Sequence, residues 1–237
     1  MKKAIVIGSS SGVGRELAIL LSKNGYRVGI TGRRKNKLEE IQKTNTDAFI
    51  VQSFDCTQSN SIDELNELLL KLGRLDLLIF CSGIGDINAV LDYEIENKTN
   101  QLNVIAFTKI TSWAYNYFLK KKQGHLVVIS SIAGLRGGQF APAYNASKAF
   151  QINYLEGLSQ KAYKTKHPII ITDIRPGFID TAMAKGDNQF WVSSKEKAAK
   201  KMLKSINAKT NIKYVSKRWR IIAFILNNIP SSIYKRL

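Results

Sequence analysis

The chain has 237 residues, 44% of them hydrophobic, which is enough to bury a full core in one α/β domain. Its formal net charge of +18 favours either simple solubility or an anionic partner: a phosphorylated cofactor, an acyl thioester carrier, a membrane surface or nucleic acid. Cys56 and Cys81 lie beside apolar runs and form no CxxC or His-rich cluster, so the sequence predicts no metal site, no disulfide framework and a reducing, cytoplasmic setting.

The first predicted element is a short strand, residues 4–7, that leads into a glycine-rich loop. Four apolar residues are fewer than the roughly seven that a secretory signal needs, so we interpret them as a strand. Gly8, Gly12 and Gly14 follow, and residues 15–23 then have helical spacing. Glycines let the backbone approach a pyrophosphate, and a helix N-terminus offers it free N–H groups, so this order predicts a dinucleotide site. An ordinary flexible turn is the alternative.

The second predicted strand, residues 26–31, ends in two arginines. In dinucleotide folds this strand end meets the adenosine ribose, where a carboxylate favours NAD and an arginine accommodates the extra phosphate of NADP. Here Arg33 and Arg34 follow the strand and no acid does. The sequence therefore favours NADP(H) over NAD(H), with Arg33 as the expected main contact and Arg34 as its support. The alternative is a helix that simply begins with basic residues.

Strands and helices continue to alternate along the chain, and several of the strands are apolar throughout. That pattern predicts an α/β, Rossmann-type, doubly wound parallel sheet of six to seven strands with helices on both faces. Asp55 follows the third strand, in a position to accept a hydrogen bond from an adenine amino group. The later strands are predicted at residues 48–51, 75–80, 125–129, 168–174 and 213–215, and the main helices at residues 61–72, 99–122, from about 142 onward and 193–206.

Ser131, Tyr144 and Lys148 form the candidate catalytic group. Ser131 follows the fifth strand, where it is free to donate to a substrate oxygen. On a helix, Tyr144 and Lys148 are four residues apart, which places the phenol and the ammonium on one face. A free phenol has a pKa near ~10, and a neighbouring ammonium favours the phenolate. The pattern therefore predicts a lowered pKa for Tyr144 and a general acid/base role; a surface aromatic beside a solvated lysine is the alternative.

Together these motifs resemble the short-chain dehydrogenase/reductase family, in its single-domain, NADP-preferring branch. The resemblance covers the chain to about Thr181. It implies that Ser131 positions a carbonyl, that Tyr144 gives it a proton, and that Lys148 lowers the phenol pKa and holds the nicotinamide ribose. Asn103, on the helix at residues 99–122, would carry a water that links Lys148 to solvent. The implied cofactor-binding residues are Gly8, Ser10, Ser11, Gly12, Val13, Gly14, Arg33, Arg34, Asp55, Cys56, Ser82, Gly83, Tyr144, Lys148, Pro176, Gly177, Ile179 and Thr181.

The sequence departs from the family pattern in two places. The family often has Asn-Asn-Ala-Gly after its fourth strand, where this chain has Phe80-Cys81-Ser82-Gly83. Hydrogen bonds between neighbouring strands must then come from elsewhere, with Ser82 as a candidate. The NADP branch also often has a basic residue before its second glycine, where this chain has Ser11, which leaves Arg33, Arg34 and Arg15 to hold the phosphate.

We divide the chain into a Rossmann-fold domain, residues 1–215, with a substrate flap at about residues 182–194, and a basic, apolar helical tail, residues 216–237. From Lys185 onward there are 13 Lys and Arg against 2 Asp and Glu, so this part carries +11 of the net charge. The tail is shorter than the ~20 apolar residues of a membrane span. Three hypotheses remain: a helix packed on the subunit or on a symmetry mate, an interfacial membrane anchor with basic flanks, or a lid over a long apolar substrate.

The sequence thus predicts an NADP(H)-dependent oxidoreductase that reduces a small-molecule carbonyl to an alcohol, or the reverse. A lipid-like or 3-oxoacyl thioester substrate is a further hypothesis, as is peripheral contact with the inner face of a membrane. Family members are commonly dimers or tetramers, so a homodimer or homotetramer is expected. A non-catalytic NADP(H)-binding redox sensor is the alternative, although it does not need a complete catalytic group. Nucleic acid is not an expected partner, because the sequence has no groove-reading motif or interleaved aromatic platform.

Overall fold

The protein is described by a computed structural model, which covers residues 1–181 and 190–236. Strands and helices alternate through these residues. The strands are β1 (Lys2–Ile7), β2 (Tyr26–Gly32), β3 (Phe49–Ser53), β4 (Leu77–Phe80), β5 (Gly124–Ile129), β6 (Ile169–Arg175), β7 (Ile179–Asp180), β8 (Ser193–Ser194) and β9 (Ile212–Tyr214). The helices are α1 (Gly12–Lys23), α2 (Lys35–Gln42), α3 (Ser61–Leu72), α4 (Tyr93–Asn100), α5 (Phe107–Lys121), α6 (Pro142–Lys164), α7 (Lys195–Asn207), α8 (Lys217–Asn228) and α9 (Ser231–Tyr234).

Seven strands form one parallel sheet in the order β3-β2-β1-β4-β5-β6-β9. The order reverses at β1, which lies between β2 and β4. The connections that leave β1 and β4 therefore diverge at the carboxyl edge of the sheet, and they leave a crevice of the kind in which such folds bind ligands. This confirms the predicted Rossmann-type parallel sheet.

Helices cover both faces of this sheet because its strands are apolar on both sides. Successive side chains of a strand point to opposite faces. Ala4 and Val6 of β1 accordingly pack with α1, α2 and α7, whereas Ile5 and Ile7 pack with α3, α5 and α6. The two layers hold the strand ends, and thus the loops that follow them, in place.

The long helix predicted at residues 99–122 has a different construction. It is a continuous helical segment that begins earlier, with α4, where the Asp92 side chain accepts from the Glu94 backbone N–H. A π-helical turn, Gln101–Ala106, then joins α4 to α5. Such turns frequently occur at functional sites, and this one carries Asn103.

The C-terminal tail packs one of its faces on the subunit. Trp219 and Ala223 of α8 are buried against Ile132, at the start of a 3-10 turn, Ile132–Leu135. The guanidinium of Arg136 donates to the carbonyl oxygens that end α8, among them that of Ile229 at 3.1 Å. On this face the tail is therefore a helix packed on its own subunit, the first of the three hypotheses.

Within residues 1–181 and 190–236, no helix combines the length and the apolar character that crossing a bilayer requires. Of the predicted flap, residues 182–189 lie outside the described residues. Residues 193 and 194 form β8, which pairs with β7.

Candidate active site

The glycine loop after β1 packs tightly against the end of β4. Gly8 has a φ of +83°, and a Cβ on it would lie 2.8 Å from the Cα of Ser82. A Cβ on Gly14 would overlap the carbonyl oxygen of Gly8. Both positions therefore require glycine: Gly8 for its backbone conformation and its closeness to Ser82, and Gly14 for the close approach of α1 to the loop.

Helix α1 presents its N-terminus to this loop. Its N-cap residue, Ser11, makes no side-chain capping hydrogen bond, and the first turn contains no acidic residue. The first backbone N–H groups and the positive end of the helix dipole are thus available to an anion. Val13 and Ile179 were also predicted to contact the cofactor, but both side chains are buried in the apolar layer beneath, so these residues can reach a ligand in the loop through their backbone alone.

Arg34 hydrogen-bonds two polar side chains of the glycine loop. Its guanidinium donates to the Ser10 hydroxyl oxygen at 2.8 and 3.2 Å and to the Ser11 hydroxyl oxygen at 2.6 Å. Arg33 instead forms an ion pair with Asp55 at 3.6 Å and has a side chain that is 66% exposed. The sequence predicted Arg33 as the main phosphate contact, whereas the structure places Arg34 over the loop. Both arginines follow β2 and are exposed, and the sequence alone does not specify which of them reaches the glycine loop.

Asp55 and Cys56 line the neighbouring strand end, after β3. Burial by itself would raise the pKa of Asp55, but hydrogen bonds from Thr57 and the charge of Arg33 outweigh it and hold the pKa below its ordinary value. Asp55 is therefore an ionised acceptor. Burial raises the pKa of the Cys56 thiol to about 11, despite a hydrogen bond with Ser82, so this cysteine is a neutral packing residue.

Tyr144 and Lys148 face each other on the first turns of α6, as their spacing predicts. The Lys148 Nζ lies 5.9 Å from the centroid of the Tyr144 ring and donates to the Ile129 carbonyl oxygen at 3.3 Å. Ser131 lies beside them and is hydrogen-bonded to the Tyr144 phenol. The Ser131 oxygen also accepts from the Ala133 backbone N–H at 3.1 Å, which fixes the serine at the start of the 3-10 turn.

The pKa of Tyr144 lies on the opposite side of its ordinary value from the prediction. Burial raises it, and the hydrogen bond with Ser131 lowers it only in part. Burial also lowers the pKa of Lys148 to about 8, although Asp173 acts against this shift. The nearby ammonium favours the phenolate, but burial disfavours both charged forms, and here the effect of burial is larger. Near neutral pH the pair is therefore a neutral phenol beside a lysine whose pKa, about 8, is close to neutral pH.

Asn103 connects the loop after β4 to α6. Its side-chain amide exchanges two hydrogen bonds with the backbone of Ile84, at 2.7 and 3.0 Å, and donates to the Ser147 hydroxyl oxygen at 3.0 Å. A Cβ on Gly83 would lie 3.4 Å from the Asn103 Oδ1 and 3.5 Å from the Lys148 Nζ. Gly83 thus lies where two of the candidate catalytic residues, Asn103 and Lys148, approach the loop after β4.

The segment after β6 closes the other side of the crevice. Thr181 lies against the glycine loop, with its methyl carbon 3.5 Å from the place of a Cβ on Gly12. The carbonyl oxygen of Pro176 accepts from the backbone N–H of Ile132 at 3.0 Å. A Cβ on Gly177 would overlap the ring of Trp219, which ties this segment to α8. The predicted cofactor segment therefore lies between the glycine loop and the tail.

Three residues of the site were not predicted as part of it. Gly85 packs on the Tyr144 ring, where a Cβ would overlap the ring atoms. Trp219 contacts aromatic residues at the edge of the crevice and meets the Phe178 ring edge to face, at a centroid distance of 5.6 Å. Gln151 is fully buried beside Lys148. A signal for Gln151 was available, because it follows Lys148 by one helical turn and shares its buried face with Leu155.

Comparisons with known proteins bear on the family and the fold of this chain. A sequence model of the family described as "short chain dehydrogenase" matches residues 2–213. An uncharacterized oxidoreductase of Staphylococcus aureus (strain USA300) is 31% identical over 191 residues, which cover 79% of this chain and 82% of the relative. A short-chain dehydrogenase from Sphingobium yanoikuyae, in complex with NADPH, has the same fold with a TM-score of 0.83, 18% identity and coverage of 98% of each chain. One from Burkholderia cenocepacia, in complex with NADP, has a TM-score of 0.84 at 21% identity, with 100% of this chain and 99% of that one covered.

Proposed function

Because this chain belongs to the short-chain dehydrogenase family of oxidoreductases, we propose that it uses NADP(H) to reduce a small-molecule carbonyl to an alcohol, or to catalyse the reverse reaction. The observation that carries the proposal is the meeting of Ser131, Tyr144 and Lys148 beside Gly83, next to the glycine loop. The candidate catalytic group and the crevice suited to a dinucleotide lie together at the carboxyl edge of the sheet. We also propose a homodimer or homotetramer, since proteins of this family generally assemble.

The residues present fit NADP(H). Free N–H groups at the start of α1 suit the pyrophosphate, and Gly8 and Gly14 allow the backbone to approach it. The guanidinium of Arg34 and the hydroxyls of Ser10 and Ser11 form a cationic, donor-rich group that suits the extra phosphate of NADP. Two proteins of the same fold are complexes with NADPH and NADP, which supports the same cofactor here.

The chain's own residues supply the proton and the orientation. When bound, the reduced nicotinamide supplies the hydride. Ser131 and Tyr144 present two O–H donors to the carbonyl oxygen, where negative charge develops, and Tyr144 passes its proton to that oxygen. The raised pKa keeps the phenol protonated, which suits the donor in a reduction. Lys148 holds a positive charge behind the phenol and offers an N–H toward the cofactor ribose.

A carbonyl panel tests the proposal. The purified protein is incubated with NADPH or NADH and with short and long 3-oxoacyl thioesters and unrelated ketones, and cofactor oxidation is followed by absorbance. We expect turnover with NADPH in preference to NADH. A redox sensor would bind NADPH tightly and turn over none of the carbonyls. A rate that rises with acyl length would support a lipid-like substrate, and equal rates on all ketones would remove that hypothesis.

The charge of Lys148 should determine how turnover depends on pH. Lys148 has a pKa of about 8, so its charge is present below that pH and is lost as the pH rises through it. We therefore expect kcat/KM for reduction to be level below about pH 8 and to fall above it. In Lys148→Met the rate should be lower throughout and this alkaline limb should disappear. If the limb persists unchanged in the variant, another group titrates there.

The outer face of α8 exposes apolar side chains to solvent. Ile221, Phe224 and Ile225 are 62%, 70% and 49% exposed, and neither α8 nor α9 contains an acidic residue. Basic side chains at both ends of the tail would complement anionic headgroups, with the apolar side chains entering the lipid boundary. We propose that the protein is cytoplasmic and that this face contacts the inner surface of the membrane.

Vesicle flotation at low salt measures this contact. The wild type should float with anionic phosphatidylglycerol vesicles and stay unbound to neutral ones. The triple variant Ile221→Ser, Phe224→Ser, Ile225→Ser should lose flotation, because it keeps the buried Trp219 and removes only exposed groups. Leu70→Ser is the matched control, since Leu70 is 81% exposed on another helix. Wild-type protein that remains unbound, or a triple variant that still floats, would end the hypothesis.

A further inference from the structure

Gln151 connects two members of the catalytic group. It is 0% exposed and follows Lys148 by one turn of α6. Its side-chain Oε1 accepts from the Lys148 Nζ at 3.0 Å, and its Nε2 donates to the backbone carbonyl oxygen of Asn103 at 2.9 Å. The amide therefore bridges α6 and the π-helical turn, and both of its ends are hydrogen-bonded inside the protein.

An amide is the side-chain group that suits this position chemically. The Lys148 ammonium has only donors to offer, and the Asn103 carbonyl oxygen is only an acceptor. A group between them must accept at one end and donate at the other. A carboxylate would place a second acceptor against the carbonyl oxygen, and an aliphatic side chain would leave both buried groups without this partner.

The hydrogen bond to Gln151 also restricts the orientation of the Lys148 ammonium. An ammonium has three N–H donors. One points to the Ile129 carbonyl oxygen at 3.3 Å and one to Gln151. The Nζ lies 5.9 Å from the Tyr144 ring centroid and 3.5 Å from the place of a Cβ on Gly83, so the third N–H is left for the space where the phenol and the cofactor loops meet.

We propose that Gln151 is a positioning residue, which holds the Lys148 ammonium in its working orientation through a hydrogen bond that is itself anchored on the backbone of Asn103. The inference rests on the proposed function. Gln151 itself touches neither substrate nor reacting atoms, and it acts through Lys148.

Titratable groups face Lys148 from three elements of the described residues. Tyr144 faces it from α6, Cys81 from the end of β4 and Asp173 from β6. Asp173 is already paired with Arg175 at 2.6 Å, and burial raises the pKa of Cys81 to about 12, so this thiol is neutral. A substitution at position 151 should therefore change the pKa of Lys148 directly.

Two substitutions test the proposal through opposite effects. Gln151→Leu removes the acceptor from the ammonium and should lower the pKa of Lys148, whereas Gln151→Glu places a carboxylate beside it and should raise that pKa. We expect shifts of about one pH unit in each direction. In turnover, the alkaline limb of the kcat/KM profile should move the same way, and Gln151→Leu should lose roughly tenfold or more in kcat. Gln160→Glu and Gln160→Leu are matched controls at an exposed position of the same helix.

Lysine labelled with carbon-13 at Cε provides a readout that does not depend on turnover. The Lys148 signal is assigned by its absence in Lys148→Met and titrated in the wild type and in each folded variant, with folding checked by thermal unfolding. Opposite shifts with unchanged controls support the proposal. Shifts in the same direction, or none, overturn it, because a merely structural role would not reverse sign. Should the protein turn over no carbonyl, the proposed function fails while this titration still decides the role of Gln151.

Discussion

Replacing Tyr144 with phenylalanine is expected to lower kcat/KM for NADPH-dependent reduction by a factor of about 10² or more, the usual cost of removing a general acid. The ring packs against Gly85 and would remain in place, so the change removes the O–H and little else. Steady-state kinetics with the best carbonyl of the panel measures the loss. A fluorescence titration should show that NADPH still binds.

Tyr154→Phe is the matched control for this prediction. Tyr154 lies on the same helix, and its hydroxyl is hydrogen-bonded to that of Ser112 at 2.8 Å, away from the crevice. Loss of that hydroxyl should leave turnover nearly unchanged. An unimpaired Tyr144→Phe variant would refute the assignment of Tyr144 as the proton donor. Equal losses in the two variants would indicate damage to α6 and would leave no catalytic role specific to Tyr144.

Replacing Arg34 with alanine is expected to weaken NADPH binding by roughly 10- to 100-fold and to leave NADH binding unchanged. The reason is that Arg34 reaches the hydroxyls of Ser10 and Ser11, where the extra phosphate of NADP would lie. Fluorescence titration of both cofactors against the variant measures the change in preference.

Arg33→Ala separates this prediction from a general effect of positive charge. Arg33 is largely exposed and paired with Asp55, so its loss should weaken NADPH binding severalfold at most. A larger loss in Arg33→Ala than in Arg34→Ala would restore the assignment made from sequence. Equal weakening of NADPH and NADH in Arg34→Ala would show that the arginine shapes the glycine loop without recognising the phosphate.

The sequence predicted the architecture well because the strands are apolar on both faces. Leu77–Phe80 is a fully buried strand, and such runs alternate with helices along the chain. The meeting of Tyr144 and Lys148 was also predictable, because helical geometry places residues four apart on one face. The glycine loop followed from the same kind of local rule, since Gly8 and Gly14 are required where a strand turns closely into a helix.

Properties that depend on packing could not be predicted in this way. The raised pKa of Tyr144 follows from burial, which a comparison of two charges omits. Arg34 hydrogen-bonds the glycine loop whereas Arg33 pairs with Asp55, and these contacts depend on the conformation of each side chain after β2. The hydrogen bond from Gln151 to the Asn103 carbonyl oxygen joins residues that are 48 positions apart, and no local pattern specifies such a contact.

Transfer of deuterium tests the central claim most directly. The protein is incubated with NADPH deuterated at its hydride-donating carbon and with a carbonyl from the panel, and the product alcohol is examined by mass spectrometry. We expect one deuterium on the carbinol carbon of the product, formed by the wild type and, at a much lower rate, by Tyr144→Phe. Bound NADPH that is recovered unchanged in the presence of every carbonyl would contradict the proposed reduction and would favour a redox sensor.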